Sequence, residues 1–233
     1  MSLKLVKHTL FAALALGLAG TANAGVSGSL TLTSDYLFRG FTQTNEKPAI
    51  QGGLEWSSEK SGFYAGTWGS SISWLDLGDD FSSQLELDGY VGFRGQFTDD
   101  FSYDVGVLYY GYPGDFPSGF NKADTTELYF GIGYGIFSLK YSYAVTDLFG
   151  IDDSDGSSYL DFGISKGFAD DSWTISAHYG KQFISGAANS DYSDWSVGIS
   201  KALPADFSLD LTYVDTDVDG ADDAVYFAIT KSF

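Results

Sequence analysis

Cysteine is absent from the 233 residues, which removes disulfide scaffolds, thiolate zinc sites and thiol catalysis. Basic residues are scarce. Twelve Lys and Arg stand against 31 Asp and Glu, a formal charge of −19, so no nucleic-acid partner is expected, because that affinity rests on cations that neutralise phosphates. After Gly25 no run of 18 consecutive apolar residues occurs, so no helix is expected to cross a membrane. What is present is an ordinary apolar content of 44% with 29 glycines and 17% aromatic residues, which is not the composition of a disordered chain. One folded domain is expected at this length.

The first residues carry Lys4 and Lys7 and no acid, and an apolar run, TLFAALALGLAG, leads to Ala22-Asn23-Ala24. A run of about 12 residues is too short to span about 30 Å of hydrocarbon, and small-x-small is a cleavage pattern, so residues 1–24 read as a secretory signal peptide and 25–233 as the mature domain. Losing two lysines takes the formal charge to −21.

Period-two alternation recurs through the mature chain. Phe207, Leu209, Leu211 and Tyr213 interleave with Ser208, Asp210 and Thr212; Trp173, Ile175, Ala177 and Tyr179 interleave with Thr174, Ser176, His178 and Gly180. These are strands with one apolar face. About twelve are expected, over 26–38, 48–57, 63–74, 84–97, 101–111, 125–137, 138–146, 158–168, 173–183, 193–203, 207–215 and 224–233. Most approach about 10 residues, a length that suits strands tilted across a bilayer. Their connections alternate between short ones (SEKSG, TDD, ADDS, PAD) and long ones near 39–47, 75–83, 112–124, 147–157, 184–192 and 216–223. Short turns at one end and long loops at the other describe an all-β fold, a transmembrane antiparallel up-and-down β-barrel of the bacterial outer membrane; a secreted β-sandwich is the competing fold.

A weak repeat fits that register. Phe162-Gly-Ile-Ser-Lys-Gly-Phe168, Val197-Gly-Ile-Ser-Lys-Ala-Leu203 and Phe227-Ala-Ile-Thr-Lys-Ser-Phe233 end three strands alike, with Lys166, Lys201 and Lys231 placed to snorkel toward headgroups. A final amphipathic strand closing on Phe233 resembles the signal read by the outer-membrane assembly machinery, which is therefore an expected partner, alongside outer-membrane lipid and lipopolysaccharide.

With the apolar register assigned to lipid, the opposite one faces the lumen. The expected pore-lining groups are Asp35, Arg39, Glu55, Glu86, Asp88, Arg94, Asp104, Glu127, Lys140, Asp161, His178 and Asp210, eight acids against three permanent bases. Twelve strands about 4.8 Å apart at roughly 40° tilt give a backbone radius of order 12 Å, so the lumen is narrow. Inward carboxylates favour cations or neutral solutes. The alternative for the same charges is an ion-pair network that fills the barrel without conduction.

The long loops hold further acid. The run Asp215-Thr-Asp217-Val-Asp219-Gly220 opens as a calcium loop would, but Tyr226 stands where the closing Glu belongs, so a solvated cap is the simpler reading and no metal is assigned. His178 is the only mature histidine, with Ser176 on the same face; no orienting acid can be named from spacing, so neither a catalytic residue nor a cofactor is expected, and His178 reads as a hydrogen-bonding lumen group. Trp68, Trp74, Trp173 and Trp195 read as interfacial girdle residues.

Ser34-Asp-Tyr-Leu-Phe-Arg-Gly40, then Gln43-Thr, Lys47-Pro-Ala-Ile-Gln-Gly-Gly53 and Gly62-Phe-Tyr-Ala-Gly-Thr-Trp-Gly-Ser70, resemble the opening of the TorF-like family of proteobacterial outer-membrane porins, densest over 31–74, and the closing Lys-Ser-Phe also fits. The resemblance implies a porin-type barrel with no established substrate and no catalytic residues. The expected function is passive diffusion of small hydrophilic solutes, with a non-conducting structural or surface-binding barrel as the alternative.

Overall fold

The computed structural model describes residues 25–58, 60–78, 81–114, 116, 121–186 and 190–233. The signal peptide expected at 1–24 lies outside them. Twelve antiparallel strands close into a barrel: β1 (Gly25–Thr33), β4 (Ala49–Ser57), β5 (Phe63–Gly78), β6 (Phe81–Gln96), β7 (Phe101–Gly111), β8 (Thr125–Tyr134), β9 (Phe137–Ala144), β10 (Ser158–Phe168), β11 (Trp173–Phe183), β12 (Tyr192–Leu203), β13 (Phe207–Thr216) and β14 (Ala224–Ser232). Two short strands, β2 (Leu37–Phe38) and β3 (Phe41–Thr42), pair only with each other. Closure joins the ends of the chain: Leu30 faces Lys231 and Leu32 faces Ile229, and Gly28 and Phe233 exchange backbone hydrogen bonds of 2.8 and 3.0 Å. Among the described residues the closed barrel sheet therefore has no free edge.

The outward register is apolar over most of the circumference. Leu30, Leu32, Ile50, Leu54, Leu87, Val91, Phe130, Phe162, Ile175, Val197, Leu211 and Phe227 all stand exposed on the wall, as lipid requires and water would penalise. Aromatic rings gather at the short-turn end, where Phe168 stacks on Trp173 and the Lys201 ammonium lies 4.7 Å from the Trp173 ring.

High glycine and tyrosine content has a common cause inside the barrel. Tyr64 lies directly across from Gly92, and Gly66 across from Tyr90, so each phenol covers its neighbour's bare backbone. A Cβ on Gly92 would sit 2.5 Å from the Tyr64 hydroxyl, and one on Gly66 2.4 Å from the Tyr90 ring. Gly106 and Tyr129 repeat the arrangement between β7 and β8. Aromatic rings that fold over cross-strand glycines fill a narrow lumen without splaying the strands.

The structure differs from the sequence reading in three places. Strand one stops at Thr33 because residues 34–48 turn into the barrel; Asp35 and Arg39 therefore approach the lumen from a loop, not from the wall. The loop expected at 75–83 is replaced by ladder, since β5 and β6 continue to Gly78 and Phe81 through a bulge. Trp68 is no girdle residue: along β5 the apolar register points inward, with Tyr64, Trp68 and Ile72 buried, while Thr67 faces out and hydrogen-bonds the Asp88 carbonyl. Trp74 likewise packs edge-on to Tyr112, ring centroids 5.5 Å apart.

Candidate functional site: an inward hairpin across the lumen

Ser34 to Thr44 build a compact device. The Asp35 carboxylate accepts the hydroxyls of Thr42 and Thr44, each at 2.7 Å, and the Gln43 amide donates to the Tyr36 carbonyl at 2.6 Å, which draws the two arms together. Arg39 and Gly40 form the tip with φ of 47° and 89°. Positive φ at both central residues is the two-residue turn whose twist matches a hairpin. Glycine adopts it freely; arginine does so at a cost of order 1 kcal/mol, which the contacts of its side chain must offset.

Those contacts are dense. One guanidinium nitrogen of Arg39 donates to both Glu127 oxygens at 2.9 and 2.8 Å, and the other donates to Gln182 Oε1 at 2.9 Å. The cation lies 4.9 Å from the Phe38 ring and 4.3 Å from the Tyr159 ring. Tyr159 in turn donates to Asp194 at 2.9 Å, and Asp194 meets His178 Nε2 at 2.9 Å while His178 Nδ1 meets Asp161 at 3.0 Å. A continuous polar chain thus runs from Arg39 across β10, β11 and β12. Burial by itself would push the Arg39 guanidinium down, but the Glu127 carboxylate outweighs it and holds the group above its ordinary value; burial, then Glu86, pushes the Tyr36 phenol well above its own. The hairpin therefore presents a fixed cation and a neutral phenol to the wall.

At this level the lumen is filled. Glu86, Asp88, Tyr110, Thr125, Glu127, Gln182 and Asp194 all point inward yet none is more than 2% exposed. Edge-to-face rings do the sealing: Phe38 on Phe149 and Tyr110, Tyr36 on Trp68, Phe41 on Tyr192. Toward the short-turn end the wall opens. Arg94 pairs with Glu55 while its side chain keeps 43% exposure, and its cation lies 4.5 Å from the Tyr64 ring. Tyr64 donates to Asp104 at 2.5 Å and also meets the Tyr129 hydroxyl; Lys140 sits 4.4 Å from the Tyr129 ring, and Asp210 accepts the Ser208 hydroxyl at 3.2 Å.

The expected lumen groups therefore divide. Asp35, Arg39, Glu86, Asp88 and Glu127 belong to the sealed half, where Glu86 accepts the Tyr36 hydroxyl at 3.3 Å and neither Asp88 oxygen closes a hydrogen bond of normal geometry. Glu55, Arg94, Asp104, Lys140 and Asp210 belong to the open half, with Asp161 and His178 between. Asp194 is missing from the expected lumen groups; it lies on β12, fully buried, and the alternation Asp194, Ser196, Gly198 against Trp195, Val197, Ile199 carries the signal for that. Both His178 nitrogens face carboxylates, so Ser176 has no free imidazole nitrogen to take its proton. Among the described residues no group of three or more His, Cys, Asp or Glu converges as metal ligands would.

A closed cylinder with an apolar exterior, a charged interior and an inward-folded loop is a transmembrane β-barrel of porin architecture. Within that class, the family model described as a bacterial protein of unknown function (Gcw_chp) matches residues 18–232, and the chain belongs to that family. Similar solved structures include the KdgM porin, at 9% identity and a TM-score of 0.56, covering 89% of this chain and 98% of that one. The NanC porin is similar at 12% identity and a TM-score of 0.55, covering 88% and 98%. KdgM is also known in complex with disordered oligogalacturonate, a structure to which this chain is similar at 9% identity and a TM-score of 0.52, covering 89% and 97%. No curated protein matches the sequence.

Proposed function

We propose that this chain, freed of residues 1–24, is an outer-membrane porin-like channel for passive diffusion of small hydrophilic solutes, with preference for cations or neutral molecules. The supporting observation is the partition of chemistry across one wall: apolar side chains outside, and Glu55, Asp104, Asp161, Asp194 and Asp210 inside against Arg94, Lys140 and His178. The TorF-like resemblance and the porin neighbours agree with this reading. A polyanion such as the oligogalacturonate bound by KdgM would meet these carboxylates unfavourably, so acidic sugars are not the proposed class. The long loops then face outward toward lipopolysaccharide, the short turns face the periplasm, and the closing strand with Phe233 is the segment offered to the assembly machinery.

A second reading, a non-conducting barrel, is favoured by the hairpin that fills the lumen between Glu127 and Gln182. Planar-bilayer recording separates the two. Discrete cation-preferring steps that grow in frequency when residues 37–42 are shortened to a glycine turn support a channel occluded by its first loop. Silence from both forms, each heat-modifiable on gels, supports the second reading.

A further inference from the structure

Arg39 is held as a ligand is held. Its receptor is built on the barrel: the Glu127 carboxylate on β8, the Gln182 amide oxygen on β11, the Tyr159 ring on β10, and the Phe149 ring 5.8 Å away in the 145–157 loop. The guanidinium itself comes from a hairpin that shares no ladder with the barrel sheet. The receptor is also pre-set without it, since Asp194 fixes the Tyr159 hydroxyl and His178 fixes Asp194. A planar fork that donates from one nitrogen to a carboxylate and from another to an amide oxygen, with an aromatic face below, selects guanidinium over ammonium, which offers a compact charge and no plane.

We propose that this constellation is a binding site for guanidinium-bearing solutes, occupied in cis by Arg39, and that such solutes are the class that displaces the hairpin. The transport half of the proposal rests on the channel reading above; the binding half does not. A tethered competitor acts at an effective concentration of order millimolar or higher, so the wild type responds only to larger concentrations of free ligand, and Arg39→Ala removes the competitor.

The test uses the full barrel in detergent micelles, with agmatine as probe and putrescine, which carries amines and no guanidinium, as control. For Arg39→Ala, agmatine is expected to raise the midpoint of thermal unfolding saturably, with half-effect near millimolar concentration. Putrescine is expected to need at least about tenfold more, and adding Glu127→Gln is expected to abolish the response. Arg39→Lys, which keeps the charge and loses the fork, provides a second background should Arg39→Ala fold poorly. A shift equal for both amines, a shift that survives Glu127→Gln, or no shift in a heat-modifiable barrel overturns the proposal. In bilayers, agmatine is expected to block the current opened by Arg39→Ala. Agmatine binding in micelles with silent bilayers overturns the channel reading and leaves the receptor; open channels with no agmatine effect overturn the receptor alone.

Discussion

Gly40 is the position where the smallest change should move the hairpin most. Its backbone has φ of 89°, and a Cβ built on it would lie 2.8 Å from Asp194 Cβ and 3.0 Å from Thr216 Cβ. Those two atoms belong to cross-strand partners of the β12–β13 ladder, so the wall cannot yield without breaking barrel pairing. For Gly40→Ala the left-handed backbone costs about 1–2 kcal/mol and the steric overlap about 1–3 kcal/mol, together about 2–5 kcal/mol against the seated hairpin. At about 1.4 kcal/mol per tenfold, the ratio of unseated to seated forms should rise by roughly 30-fold to several thousand-fold. The strands themselves are untouched, so gel migration of unboiled protein should match the wild type. Single-channel recording reads the fraction of time spent conducting. A Gly40→Ala barrel that migrates natively yet conducts no more than the wild type refutes the claim that the hairpin is what closes the lumen.

His178→Ala should strand Asp161 and the fully buried Asp194 without their shared partner, a loss of about 3–5 kcal/mol that lowers the temperature at which heat-modifiable migration is lost; an unchanged temperature denies that the imidazole bridges them. Gly66→Ala should push the Tyr90 ring and the Leu54 carbonyl from 2.4 and 2.7 Å, destabilising the barrel by about 1–3 kcal/mol in the same assay, whereas alanine at Gly89, where nothing lies within 4 Å, should be neutral. Arg94→Ala should strengthen cation preference, read as a shift in reversal potential under a salt gradient, because Arg94 is half-exposed in the open part of the lumen; Asp88→Asn should leave it unchanged, because Asp88 is sealed beneath the aromatic cluster. Equal shifts from both would place the ion path elsewhere.

The wall was legible because lipid and water impose opposite demands on alternate residues. Where a strand obeys that rule, as from Leu160 through Ile164 against Tyr159 through Gly163, expected and observed spans coincide at 158–168. β5 breaks it. Its large residues point inward for two reasons: Trp68 buries against Tyr36 of the hairpin, and Tyr64 packs on Tyr90 and folds over Gly92 within the wall itself. For Trp68 the inversion depends on residues 34–48 folding back, a contact between separate segments that no local period encodes. The motif Ser34-Asp-Tyr-Leu-Phe-Arg-Gly40 stands out in the sequence, but its Arg-Gly tip is not the usual Asn-Gly, and the hairpin rests on the Thr42 and Thr44 hydroxyls donating to Asp35, bonds that no local pattern encodes.

The separation of wall from hairpin has an energetic consequence. Hydrogen bonds that close the cylinder run entirely between the twelve wall strands, and β2–β3 contributes nothing to them. Apart from the Gln43 carbonyl, which accepts from the Ser73 and Trp74 backbone amides at 2.8 and 3.2 Å, the hairpin is held by side chains, chiefly one ion pair in which a single Arg39 nitrogen donates to both Glu127 oxygens, one amide bond and a ring cluster, and it carries a strained Arg39 within itself. Breaking a buried pair of this kind releases a local element at about 3–5 kcal/mol, well short of what unfolding a closed barrel requires, so occlusion and stability can vary independently. Such a division is what an occluding element needs if it is to leave the lumen while the barrel stays folded in the membrane. Both members of the Arg39–Glu127 pair are buried, whereas in the Arg94–Glu55 pair the cation keeps 43% exposure, so the first contact is the strong one and the loss of either of its partners is decisive.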